Sequence, residues 1–219
     1  MIYIGIDFSL NSPGACIQDQ DGSYTFITFF NYGNRIWDEE GKKIPKAFSA
    51  HKELMDDEAI LGFPYHREVT SKEFLFRERQ KLTDAGSISS LIINVLKTFY
   101  DSDDIKVGLE GFSYGSKGNS FIDIIQYNTF LRKELVKTYD VDNLFVFQPS
   151  HVKKLAGKGN ANKHYMAEAF QNDVLNDKNL RKTKLWKWCQ GKDFSTKIPK
   201  PIDDIVDAYF ILKSLNSNK

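Results

Sequence analysis

Ile2-Tyr3-Ile4-Gly5-Ile6-Asp7 opens the chain, and its pattern returns far downstream as Ile105-Lys106-Val107-Gly108-Leu109-Glu110. Both stretches alternate with period two, the signature of a strand whose successive side chains point to opposite faces. In the first, Ile2, Ile4 and Ile6 share one face and Tyr3, Gly5 and Asp7 the other. In the second, Ile105, Val107 and Leu109 oppose Lys106, Gly108 and Glu110. Each ends in a carboxylate, with a glycine two residues before it on the same face. Parallel, adjacent strands would bring Asp7 and Glu110 side by side at their C-terminal ends, where open α/β sheets place their sites.

Outward from the first strand, the turn Ser12-Pro13-Gly14 leads to Ala15-Cys16-Ile17. Asp21-Gly22 then precedes the alternating run Tyr24–Phe29, so three strands meander through tight turns. From Asn31 to about Arg79 no period is sustained, and Pro45 and Pro64 interrupt the segment, which reads as an insertion with some helix. Regularity returns at Ser87. Leu91, Ile92, Val95, Leu96 and Phe99 recur at helical spacing and feed the Ile105–Glu110 strand. A loop over Gly111–Ser120, a helix marked by Ile124, Ile125, Leu131 and Leu135, and the apolar strand Leu144–Phe147 complete a second β-α-β unit. Crossovers of this kind are right-handed and make their strands parallel. The expected fold is α/β: a five-stranded mixed sheet, three antiparallel N-terminal strands and then parallel strands, flanked by helices. A helix near Ala161–Asn176, a basic linker holding Trp186 and Trp188, and a final helix opened by Pro201 follow. Residues 1–219 are expected to form a single domain with an insertion at about 31–79.

No run approaches the ~18 apolar residues of a membrane span. The N-terminal segment lacks the basic region and cleavage site of a signal peptide, so a cytoplasmic protein without membrane contact is expected. Cys16 and Cys189 lack metal-ligand spacing and read as free thiols. Charge is unevenly spread. Residues 151–200 carry eleven Lys and one Arg against one Glu and three Asp, a net +8 where the whole chain has +1. Such a local field suits a phosphate backbone as well as a solvated lysine-rich surface.

Two carboxylates sharing one site repel, and a divalent cation with a preference for hard oxygen ligands, magnesium or manganese, is their natural partner. A third element is Pro201-Ile202-Asp203-Asp204-Ile205-Val206-Asp207. Proline and acids suit any helix N-terminus, and Asp203 and Asp204 have that ordinary explanation. Asp207 lies in the second turn among Val206, Ala208, Phe210 and Ile211, where a structural carboxylate gains little. At ~100° per residue, Asp204 and Asp203 stand about 60° and about 40° from Asp207. Spacing does not choose between them.

Taken in order, GIDFS, VGLEGFSYGSKGNS, PSHVKKLAGKGNANK and PIDDIVDAYFIL resemble the four blocks of RuvC-like Holliday junction resolvases of the RNase H-like superfamily. The longer middle segment and the extended linker are similar to divergent, phage-type members. The resemblance implies an RNase H-like fold, with Asp7, Glu110, Asp204 and Asp207 as catalytic acids and Asp203 as the fallback for Asp204. It also implies Lys163, after the Gly157-Lys158-Gly159 segment, at the scissile phosphate, and two Mg²⁺ ions per site with Mn²⁺ as substitute. The implied partner is branched DNA, above all the four-way junction, cut by a homodimer in the cytoplasm, the host's if the chain is phage-encoded. Lys153, Lys154 and Lys158 would hold the DNA backbone. Phe112 or Tyr114 would enter the junction, although a core phenylalanine and a loop tyrosine are the ordinary readings of those two. Other readings stay open: an RNase H or another nuclease on the same fold, a non-catalytic DNA-binding relative, and an actin-like ATPase module suggested by Gly5-Ile6-Asp7-Phe8-Ser9.

Overall fold

The computed structural model describes residues 1–33, 35–37, 43–45, 52–67, 72–100, 104–112, 119–194, 198 and 200–217. Its strands are β1 (Ile2–Asp7), β2 (Gly14–Gln18), β3 (Tyr24–Asn31), β4 (Arg35–Trp37), β5 (Lys43–Pro45), β6 (Leu61–Tyr65), β7 (Ile105–Glu110) and β8 (Leu144–Phe147). Six of them form one sheet in the order β6-β3-β2-β1-β7-β8, while β4 and β5 pair as a separate ribbon. β1 to β3 are antiparallel neighbours. β7 joins β1, and β8 joins β7, in parallel. This is the mixed sheet expected from the sequence, with all five expected strands in place.

The segment 31–79, read as an insertion with some helix, holds helix at 52–56 and from Phe74 on, and it also contributes a sixth strand to the five expected. β6 pairs parallel with β3, with Pro64 opposite Phe30. Gly62 and Pro64 make the segment look like a breaker. At the rim of a sheet, however, a proline forfeits no ladder bond that an inner strand would need.

Besides helical residues at 52–56, the described helices include α1 (Phe74–Phe99), α2 (Asn119–Tyr139), α3 (Pro149–Lys154), α4 (Lys163–Asn176), α5 (Lys178–Lys182), α6 (Lys184–Cys189) and α7 (Ile202–Ser217). α1 begins well before Ser87, because Phe74, Leu75, Phe76 and Leu82 in its first half are exposed and give no buried stripe to read. The supposed linker around Trp186 and Trp188 is helical. Asp177 accepts from the Asn179 and Leu180 amides to start α5, and Thr183 accepts from the Trp186 amide to start α6. Leu185 and Cys189, one helical turn apart, are buried. Cys16 is buried too, and neither cysteine is disulfide-bonded. None of the described helices is long and apolar enough to cross a membrane.

Strand alternation divides the interior into two cores. Ile2, Ile4, Ile6, Ile105, Val107 and Leu109 pack against α1 and α2 through Ile88, Ile92, Leu96, Tyr127 and Leu131. On the opposite face Tyr3, Cys16, Phe26 and Phe147 pack against α4 and α7 through Met166, Phe170, Ile205, Ala208 and Leu212. Glycine decides how close α7 comes. A Cβ on Gly5 would collide with the Ala208 carbonyl and the Leu212 amide, and one on Gly14 would lie 2.8 Å from the Asp204 carbonyl oxygen. The backbone of α7 therefore rests directly on β1 and β2, which carries its acids to the strand ends.

Candidate active site

In the parallel register of β1 and β7, Gly5 faces Gly108 and Ile6 faces Leu109. The next residues along are Asp7 and Glu110, half-buried at the C-terminal ends of neighbouring strands. α7 descends onto this point and adds Asp207, Asp204 and Asp203. Four elements thus converge: two strands for the first pair of acids, one helix for the rest, and the α3–α4 region opposite.

The electrostatics show how closely the acids crowd. Burial pushes the Asp7 carboxyl well above the usual range, and Asp207, Asp204 and Glu110 push it further, in that order, with Lys200 opposing. Asp207 is raised to about 7, first by burial, against the pull of Lys163 and with Glu110, Asp204 and Asp203 adding to the rise. Glu110 is raised by burial, with Lys153 opposing. Among the described residues, the carboxylates of Asp7, Glu110 and Asp207 close no ion pair.

Asp203 and Asp204 differ from these three. Both are almost fully buried, at 6% and 2% exposure, on a helix whose first turn would ordinarily leave them in water. Asp204 accepts from the Ser12 hydroxyl at 2.9 Å and pairs with the Lys200 ammonium at 2.5 Å. Burial and Asp203 raise its pKa while Lys200 and Ser12 lower it. Asp203 pairs with Lys163 and, at 3.1 Å, with Lys200, and its second oxygen, Oδ1, is buried without a partner among the described residues. Lys200 is itself pulled two ways. Burial acts to lower its pKa, but the two aspartates outweigh burial and the value rises. Of the two acids that helical spacing left tied, Asp204 is the one among the principal electrostatic neighbours of Asp7.

A pocket of about 290 Å³ opens beside this cluster, lined by Glu110, Lys153, Asn162, Lys163, Met166 and Asp207 among others. Lys163 is the first residue of α4, whose N-cap Asn162 accepts from the Tyr165 amide. The cap fixes where the helix starts and so where the lysine stands. Two acids, Glu110 and Asp207, and two lysines, Lys153 and Lys163, thus share the lining of one cavity.

No protein-family model matches the chain, and no curated protein does. In structure it is similar to Thermus thermophilus RuvC, at 15% identity over 98% of this chain and 92% of that one, with a TM-score of 0.49. It is also similar to the yeast mitochondrial Holliday junction resolvase Ydc2, at 12% identity over 97% and 76% of the two chains, with a TM-score of 0.49. For T. thermophilus RuvC in complex with Holliday junction substrate the identity is 14% over 99% and 97%, with a TM-score of 0.45. Likenesses of this strength transfer no residue roles, which rest here on position and chemistry alone.

The acids fit a hard divalent cation by donor chemistry: oxygen ligands only, negative charge in excess, and a buried Asp203 oxygen with nothing to bond. As the side chains stand, no set of three or more His, Cys, Asp or Glu among the described residues is arranged to hold one. Lys163 and Lys200 lie against the aspartates instead.

Of the sequence-predicted DNA contacts, Lys153 and Lys163 reach the pocket. Lys154 and Lys158 are exposed and line no part of it, and Lys158 stacks over the Tyr165 ring at 4.4 Å. Phe112 meets Phe121 edge-on at 6.2 Å and carries the Arg132 guanidinium on its face at 4.6 Å. Tyr114 lies outside the described residues. Three neighbours escaped the sequence reading. Lys200 could have been found, since it precedes Asp203 and Asp204 by three and four positions. Ser12 and Arg132 carried no such signal, Ser12 reaching Asp204 across 192 positions.

Proposed function

We propose that this chain is a RuvC-like, magnesium-dependent endodeoxyribonuclease that resolves four-way DNA junctions as a homodimer in the cytoplasm. The observation that carries the reading is the convergence of Asp7, Glu110, Asp204 and Asp207 beside a pocket that Lys153 and Lys163 share. In this reading the four acids hold two Mg²⁺ ions, or Mn²⁺ in their place, which when bound supply the charge that activates a water and stabilises the leaving 3′ oxygen. Lys163 and Lys153 hold the non-bridging oxygens of the scissile phosphate and aim it at the acids. Ser12 and Lys200 position Asp204: the hydroxyl donates to one of its oxygens and the ammonium pairs with the other. Two symmetric cuts require two sites, and a twofold dimer matches the symmetry of a four-way junction.

The test is cleavage of a four-way junction, a flap, an RNA–DNA hybrid and plain duplex by the full chain with Mg²⁺. Paired nicks in the junction, leaving 5′-phosphate ends, are expected. Preference for the hybrid would make the chain an RNase H, and binding without cleavage of any substrate would make it a DNA-binding relative.

A further inference from the structure

Next to the acid pocket lies a second cavity, of about 420 Å³, lined by Gly111, Phe112, Arg132, Val146, Gln148 and Ser150 among others. The two cavities flank the same strand end, since Glu110 lines the first and Gly111 the second. Arg132 rises from α2 and donates through Nη2 to the Glu110 carbonyl oxygen at 3.2 Å. Its planar group lies over Phe112. Among the described residues it closes no ion pair, and its Nε is buried without a partner. Burial pushes its pKa down, although a guanidinium stays charged at any working pH. A half-buried cation with no carboxylate is costly unless an anion completes it.

We propose that this cavity is a phosphate subsite, in which the Arg132 guanidinium binds the DNA phosphodiester next to the one cut at the acid cluster. The inference rests on the nuclease reading above. The chemistry is specific: a guanidinium offers several N–H donors in one plane and matches the paired oxygens of a phosphodiester. Ser150 and Gln148 stand at the mouth with further hydrogen-bonding groups, and the adjoining Glu110 ties the subsite to the catalytic strand. A strand seated on both cavities would be held on either side of Gly111, which fixes which phosphate reaches the acids.

Junction binding measured by fluorescence anisotropy in EDTA, over a series of salt concentrations, tests this. Arg132→Gln is expected to make the slope of log K against log salt shallower by about 1, the signature of one lost phosphate contact, with Arg132→Lys nearer to wild type. A methylphosphonate replacing the phosphate beside the cut is expected to weaken wild-type binding about tenfold or more, and Arg132→Gln no further. An unchanged slope in folded Arg132→Gln, or methylphosphonate and mutation effects that simply add, overturns the subsite. Should Arg132→Gln fail to fold, a methylphosphonate scan with wild-type protein decides, and the absence of any sensitive position beside the cut overturns it. Wild-type protein that neither binds nor cuts DNA overturns the nuclease reading itself, a distinct result from loss of the subsite alone.

Discussion

The two faces of the central sheet are made by the same strands and do different work. Toward α1 and α2, β1 and β7 present Ile2, Ile4, Ile6, Ile105, Val107 and Leu109, which fill the space and hold the helices at side-chain distance. Toward α7 they present Gly5, onto which the helix backbone comes down, and Gly108, which meets the Ile211 and Leu215 side chains. The bulky face stores stability. The bare face spends none on side-chain burial at those two positions, and instead brings Asp204 and Asp207 to Asp7 and Glu110. The gathering of these acids depends on an absence of side chain at particular positions, and the carboxylates brought together repel one another in the folded state.

The contrast can be broken most forcefully at Gly5. Gly5→Val places branched carbons against the Ala208 carbonyl and Leu212 amide of α7. Overpacking of this kind costs about 1–3 kcal/mol where side chains can yield, and a helix backbone yields less, so a loss of about 3 kcal/mol or more is expected in urea unfolding. A loss below about 1 kcal/mol would show that α7 does not rest on β1.

The acid cluster sharpens the comparison through pH. Asp207 titrates near 7 in the folded chain, against 3.8 ordinarily. Between those values the folded state holds a proton that the unfolded chain has released, so stability falls as pH rises from about 4 to about 7. Asp7 and Glu110, also raised, act in the same direction. Without divalent cations, thermal unfolding is expected several degrees higher at pH 5 than at pH 8. Added Mg²⁺ should reverse much of the difference, because it competes with protons for the same oxygens. Stability that rises from pH 5 to pH 8 without metal would contradict the crowding.

On the bulky face the smallest effect is expected. Ile4→Val removes one methylene from a fully buried side chain and should cost about 0.5–1.5 kcal/mol, with cleavage unaffected. If it abolishes cleavage while the fold persists, the separation of the two faces is wrong.

Much of this was legible in the residues. Period-two alternation placed Asp7 and Glu110 on one face and, through a parallel crossover, side by side. The glycine before each acid was visible as a repeated feature, but its purpose was not, because close approach of α7 is a tertiary fact. β6 was hidden by Gly62 and Pro64, which are tolerated because the strand sits at the sheet rim. α5 and α6 were hidden by their shortness, although Asp177 and Thr183 are ordinary helix-capping residues. Helical spacing left Asp203 and Asp204 tied. Their partners separate them, Ser12 for Asp204 and Lys163 for Asp203, and those partners come from distant segments that no local pattern connects.

The most direct measurement is cleavage of a four-way junction by Asp7→Asn with Mg²⁺ present, alongside wild type. The acids' charge is expected to be worth several kcal/mol at the reacting phosphate, so the rate should fall by about 10³-fold or more, while the variant without metal unfolds at a higher temperature than wild type because one repelling charge is gone. Undiminished cleavage by Asp7→Asn would contradict a metal-dependent phosphodiester site at these residues.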